Sequence, residues 1–196
     1  MNSRIAFIVG IVTISQVMAG SVMAEPYYVG NKACITCHKA EYEDWKRSPH
    51  AKAYELLLKG KRVSPKQKAG LEDKDFQKDG KCVKCHATGA RKEGGFVDIE
   101  STPEMAGVGC ESCHGPGSEY RHIHKKRPLD FKRSDARAAG AIYATLGDKE
   151  ACDNCHSPDS PFKPSVNPKY AFDLKVKLKE GAASFHLLYP LEGKHD

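Results

Sequence analysis

The longest predominantly apolar stretch, Ile5 to Ile14, lies behind the single cation Arg4, and small residues follow at Val22-Met23-Ala24. A positive start, a short apolar core and a small-residue cleavage site predict a secretory leader over residues 1–24. The run is short for a bilayer span, and no cysteine follows the cleavage point to carry a lipid. An uncleaved N-terminal anchor is the alternative. The mature chain, residues 25–196, has no second apolar span and is expected to be one soluble domain outside the cytoplasm, with a Gram-negative periplasm as its compartment.

The rest of the pattern is weaker. Lys39 to Lys46 reads as a helix with Tyr42 and Trp45 on one side. Ser48-Pro49 reads as an N-cap and first helical residue, opening a helix from about His50 to Lys59 that buries Tyr54, Leu57 and Leu58. Residues 59–81 are polar, with one short helix expected. Gly94-Gly95 before Phe96-Val97-Asp98-Ile99 predicts a turn and a short strand. Ser118 is expected to cap a helix to about Lys126, ended by Pro128, and Ser134 to Leu146 a further helix stopped by Gly147. Pro158, Pro161, Pro164 and Pro168 make 157–169 an extended connection. Phe172 to Lys179 alternates apolar and charged residues as a strand does, while a helix from Val176 towards Leu188 is equally readable.

These stretches supply few apolar side chains for so long a chain. The cysteines show what replaces them. All eight fall in four Cys-x-x-Cys-His motifs: Cys34, Cys37 and His38; Cys82, Cys85 and His86; Cys110, Cys113 and His114; Cys152, Cys155 and His156. This is the attachment motif of c-type haem. Two thiols two residues apart add to the two porphyrin vinyl groups, and the next histidine ligates the iron. Disulfides or zinc could use the cysteines but explain none of the histidines. With 9 histidines in 196 residues, four chance placements have odds of about five in a million. Glycines at 107, 109, 115 and 117 around the third motif are expected to let backbone approach a flat macrocycle, and Pro116 to keep a helix off the motif.

Four covalently bound haem c groups in one small domain leave no room for separate pockets. The haems must touch one another and supply much of the core, which accounts for the low hydropathy. The fold class expected is a mainly α multihaem cytochrome, with helices and long loops round the haems and at most short β-strands. Motif starts at 34, 82, 110 and 152 are unevenly spaced, so there is no tandem repeat. The chain carries +6, of which Arg4 belongs to the leader. Haem propionates bring the oxidised protein to about +1 and the reduced one to about −3, so local patches outweigh the total. Lys59, Lys61, Arg62, Lys66 and Lys68 cluster in ten residues, as an ordinary solvated face or a docking patch for an acidic redox partner.

The sixth ligand decides whether each iron only carries electrons or also binds small molecules. Five histidines lie outside the motifs: His50, His122, His124, His186 and His195; Met105 is the one methionine of the mature chain. The set is therefore expected to be mostly bis-histidine and low in potential. His50 and His186 sit among aromatic and aliphatic neighbours and are candidate ligands. His122 and His124 lie about 200° apart on a helix and cannot serve one iron. His195 sits beside a terminus, where fraying is expected. Three distal histidines for four haems leave one iron open, or capped by Met105 or His195.

With these residues the chain resembles the tetrahaem cytochrome c-554 family, which accepts electrons from hydroxylamine oxidoreductase in ammonia-oxidising bacteria, and related periplasmic tetrahaem cytochromes. The likeness is carried by Gly107–Gly117, Trp45-Lys46, His50-Ala51-Lys52-Ala53, the Gly94-Gly95 turn and Leu191-Glu192-Gly193. It implies a mainly helical fold around stacked haems, with helix leading up to His186. It implies distal ligands His50 on the third haem, His124 on the first and His186 on the fourth, with the haem on His86 five-coordinate. It implies a carrier between a periplasmic oxidoreductase and a membrane or periplasmic acceptor, and no nucleic-acid partner. The other function considered is reduction of nitric oxide or nitrite at the open haem. Against it, no motif has lysine in place of histidine and no acid–base cluster surrounds His86. A gas or redox sensor is the third, with no signalling domain to support it.

Overall fold

The computed structural model describes residues 24–126, 130–142, 150–173 and 175–176. Eight short α-helices follow one another among these residues: α1 Lys32–Ile35, α2 Lys39–Arg47, α3 Val63–Lys68, α4 Gly80–His86, α5 Cys110–His114, α6 Tyr120–Lys126, α7 Arg133–Ala138 and α8 Glu150–Asp153. Single 3₁₀ turns lie at Tyr54–Leu57, Pro103–Met105 and Pro168–Tyr170. Among the described residues β-structure is limited to isolated bridges from Ala87 to Ala106 and Gly107. The fold is mainly α, as expected.

The second and third motifs are themselves helical, while α1 and α8 cover only the start of the first and fourth. α4 and α5 run onto His86 and His114, so Pro116 does not keep helix off the third motif. It follows Gly115, whose φ of 77° ends the turn immediately after the histidine. The flanking glycines also serve another purpose than the one expected. A Cβ on Gly109 would lie 2.6 Å from Asn31 Oδ1 and 2.7 Å from Thr88 Oγ1, and one on Gly107 (φ 89°) 2.5 Å from the Ala51 carbonyl oxygen. They admit polypeptide against the third motif.

The expected helix from His50 to Lys59 is a turn followed by the 3₁₀ turn. Ser48 Oγ does accept the Ala51 N–H, at 3.3 Å. The local bonds of this stretch are of the i→i+3 kind, from Ala53 N–H to the His50 carbonyl at 3.1 Å and from Leu56 N–H to the Ala53 carbonyl at 3.2 Å, and both carbonyls also take a long-range partner. That of His50 accepts the N–H of Val108 at 3.0 Å, and that of Ala53 lies 2.6 Å from Nδ1 of His86. The expected strand at 96–99 does not form, because Asp98 turns the chain by accepting the N–H groups of Glu100 and Ser101. Ser118 does not cap α6. Its hydroxyl accepts the Tyr27 N–H and its own N–H donates to the Tyr27 carbonyl. α7 stops at Ala138, where Gly140 at φ 95° turns the chain; Gly147 lies outside the described residues. The segment leading to His186 also lies mostly outside them.

One apolar cluster joins Tyr28, Tyr54, Leu57, Phe76, Val83, Ala87, Phe96 and Met105, with Tyr54 and Phe96 rings 5.0 Å apart. A smaller one, Phe131, Ala136 and Ala141, seats α7 against Tyr120 and Ile123 of α6. Of the lysine cluster, Lys59, Lys61, Arg62 and Lys68 are exposed. Lys66 is not part of that face. It is buried, donating to the Leu58 carbonyl at 2.8 Å with Nζ 5.2 Å from the centre of the Phe76 ring.

Candidate haem-binding site

The extended N-terminal segment joins the first motif to the third. Cys110 N–H donates to Asn31 Oδ1, at the start of α1, at 2.9 Å. Thr88, just beyond the second motif, donates to the Gly107 carbonyl at 2.9 Å and accepts the Gly109 N–H at 2.8 Å. Trp45 Nε1 donates to the Val108 carbonyl at 2.8 Å, so α2 braces the same turn. Each such buried bond contributes about 1 kcal/mol net, but breaking one strands a buried polar group at a cost of about 1–3 kcal/mol.

These braces bring cysteines of different motifs together. The thiols of Cys34 and Cys110 hydrogen-bond, which lowers the pKa of Cys34 and raises that of Cys110. The same bond between Cys85 and Cys155 lowers Cys85 to about 7 and raises Cys155. Cys113 is pushed up to about 11, chiefly by burial and then by the neighbouring Cys152. Burial also raises Cys82. These values describe thiols before haem is attached; afterwards the sulphurs are thioethers. Their contacts run first motif to third, third to fourth and fourth to second.

The histidines fit iron ligation. His86 Nδ1 points at the Ala53 carbonyl, which leaves Nε2 as the nitrogen free for a metal. Burial lowers the pKa of His86, against the effect of that bond, and favours the neutral imidazole that ligates iron. His50 is lowered by burial. His156 is lowered by burial first and by His50 second, with Asp153 opposing. The rings of His50 and His156 are 6.4 Å apart, centre to centre, and inclined at 73°. A metal–imidazole bond of about 2 Å, with the ring centre about 1 Å behind the nitrogen, separates two trans imidazoles by about 6 Å. His50 therefore lies beside the histidine of the fourth motif, at a spacing that would suit two ligands of one iron; the resemblance assigns it to the third haem. Phe172 stacks on His156 at 4.1 Å and 13°.

His38 Nδ1 lies 3.5 Å from Glu41. His122 is exposed, and His124 lies on α6 two positions later. His186 and His195 lie outside the described residues. Met105 is buried, at 3% exposure, on the core side of α4 with Val83 and Ala87.

Over 190 residues, covering 88% of this chain and 80% of the other, the sequence is 37% identical to cytochrome c-554 of Nitrosomonas europaea. The chain belongs to the cytochrome c554 family. The family described as cytochrome c554 and c-prime matches residues 33–115. The structure of cytochrome c554 from Nitrosomonas europaea in the reduced state superposes with a TM-score of 0.69 at 36% identity, covering 80% of this chain and 84% of that one. The protein is accordingly a c-type cytochrome that carries electrons on four covalently bound haems. The mass of the purified protein is expected to exceed that of its polypeptide by four haems, and three or fewer after full maturation would contradict this.

Glu111 escaped the sequence reading. It lies inside the third motif, between Cys110 and Cys113, and is fully buried. Its position next to the first cysteine gave no local signal, since the fourth motif carries an acid, Asp153, at the same place, while the first and second carry Ile35 and Val83.

Proposed function

We propose that this cytochrome works in the periplasm, where a leader over residues 1–24 delivers the single domain 25–196. It takes electrons from a periplasmic oxidoreductase of the hydroxylamine-oxidising kind and passes them to a membrane or periplasmic acceptor. One observation carries the reading: the four motifs meet in a continuous order, first to third through the Cys110 N–H bond to Asn31, third to fourth through the packing of α5 on α8, and fourth to second through the Cys85 thiol, which donates to the Asn154 carbonyl at 3.9 Å. A carrier needs such continuity, whereas an enzyme needs one elaborated pocket. Among the described residues, no helix is long and apolar enough to cross a membrane.

In this reading each cysteine pair forms the two thioethers of one haem, and His38, His86, His114 and His156 are the proximal ligands. His50, His124 and His186 are distal, with His50 opposite His156 on the strength of their ring spacing. Haem iron supplies one-electron chemistry, and the polypeptide orders the haems and sets their potentials. The exposed Lys59, Lys61, Arg62 and Lys68 form a basic face for an acidic partner.

Rapid mixing of the oxidised cytochrome with hydroxylamine oxidoreductase and hydroxylamine tests the assignment. Reduction of all four haems, slowing as salt rises, is expected. Steady turnover of nitric oxide or nitrite by the isolated protein, faster than that exchange, would make it an enzyme instead.

A further inference from the structure

Glu111 neither attaches nor ligates a haem in the reading above, yet it is an ionisable group at 0% exposure between two haem-bearing cysteines. Oε1 accepts the N–H groups of Val29 at 3.0 Å and Gly117 at 2.6 Å. Oε2 accepts those of Val29 at 3.1 Å and Gly30 at 2.7 Å. Backbone N–H groups only donate, and an ionised carboxylate only accepts, so this ring of donors suits the anion. No lysine or arginine forms an ion pair with it among the described residues. The charge is held by oriented dipoles and is not neutralised. Its field reaches both adjacent motifs. Cys34 is lowered chiefly by its bond to Cys110, with Glu111 acting the other way, and Cys110 is raised chiefly by Cys34, with Glu111 adding to it.

We propose that Glu111 is a fixed negative charge that holds down the reduction potential of the haem on the third motif and, more weakly, that of the haem on the first. A reduced iron carries one more electron than an oxidised one, so a nearby anion favours the oxidised form. In a site that excludes water and ions, this effect is neither diluted by solvent nor screened by salt. The same carboxylate anchors Val29 and Gly30, which lead directly into α1, so it positions the first motif against the third as well. The two roles are separable by experiment.

The proposal rests on four haems being attached at the four motifs, which a mass spectrum of each variant checks independently. Glu111→Gln keeps the size and removes the charge. In a redox titration followed by electron paramagnetic resonance, which resolves individual ferric haems, its third haem is expected to become at least tenfold easier to reduce. For a one-electron couple that is a shift of about 59 mV. The first haem should shift less, in the same direction, and Glu111→Asp should stay near the parent. Unchanged potentials in a Gln variant that carries four haems would overturn the proposal. Should the Gln variant lose a haem, Glu111→Asp decides alone. Near-parent potentials with a lowered melting temperature support a charge effect, whereas potentials that rise as the segment loosens show that position sets them and overturn it.

Discussion

Replacing His50 by alanine is expected to turn one low-spin haem high-spin while all four haems stay attached, and the haem affected is expected to be the one on Cys152, Cys155 and His156. The expectation follows from spacing. The rings of His50 and His156 lie 6.4 Å apart, the spacing that the proposed pairing on one iron would need, and burial favours the neutral form of His50. A trans ligand lost from a bis-histidine haem leaves a vacant position, so exogenous imidazole should restore the low-spin spectrum. The identity of the haem can be read by proton nuclear magnetic resonance. Phe172 stacks on His156, so its ring protons should show the altered paramagnetic shifts. Ile142 donates its N–H to the His114 carbonyl and reports on the third motif in the same way. Changes at Ile142 with none at Phe172 would return His50 to the third haem.

The motifs could be read from sequence because their chemistry is local: thioether attachment and proximal ligation need only five consecutive residues. What surrounds them is long-range. The stretch after Pro49 has helical pattern and a working cap, yet it closes only i→i+3 bonds, and the His50 and Ala53 carbonyls share their second lone pairs with Val108 and His86, partners 58 and 33 residues away. Ser118 has the chemistry of a cap and instead pairs with Tyr27, 91 residues earlier. The helix expected to run from Ser134 to Leu146 ends earlier because Gly140 takes a φ of 95°, a left-handed conformation that glycine adopts without strain. Glu111 carried no sequence expectation. Only the fold shows that segment 27–31 closes over it. A chain whose haems provide much of the core leaves few apolar positions from which to read such closures.

The haem on Cys82, Cys85 and His86 is expected to bind one carbon monoxide per reduced protein, with the other three haems unreactive. His86 is anchored on one side by the Ala53 carbonyl, which orients Nε2 to the iron. In the proposed reading His50 is paired with His156, and His124 and His186 are the distal ligands of the other two six-coordinate haems. Met105 was the rival cap, and its place in the fold argues against it. Its backbone is tied to Thr88, whose N–H donates to the Met105 carbonyl at 2.8 Å. Its side chain is packed in the aromatic cluster, with Cε 3.3 Å from where a Cβ on Gly30 would sit. Bringing the sulphur to the second iron would vacate that position, and emptying a buried methionine site costs about 2–5 kcal/mol, more than one soft ligand on an otherwise adequate haem readily returns. The oxidised protein should therefore show one high-spin signal, which Met105→Ala and His195→Ala both leave in place. Met105→Ala should lower the melting temperature without changing the carbon monoxide stoichiometry. Four low-spin haems in the parent, with a thioether band that vanishes in Met105→Ala, would close the site and with it any small-molecule chemistry there.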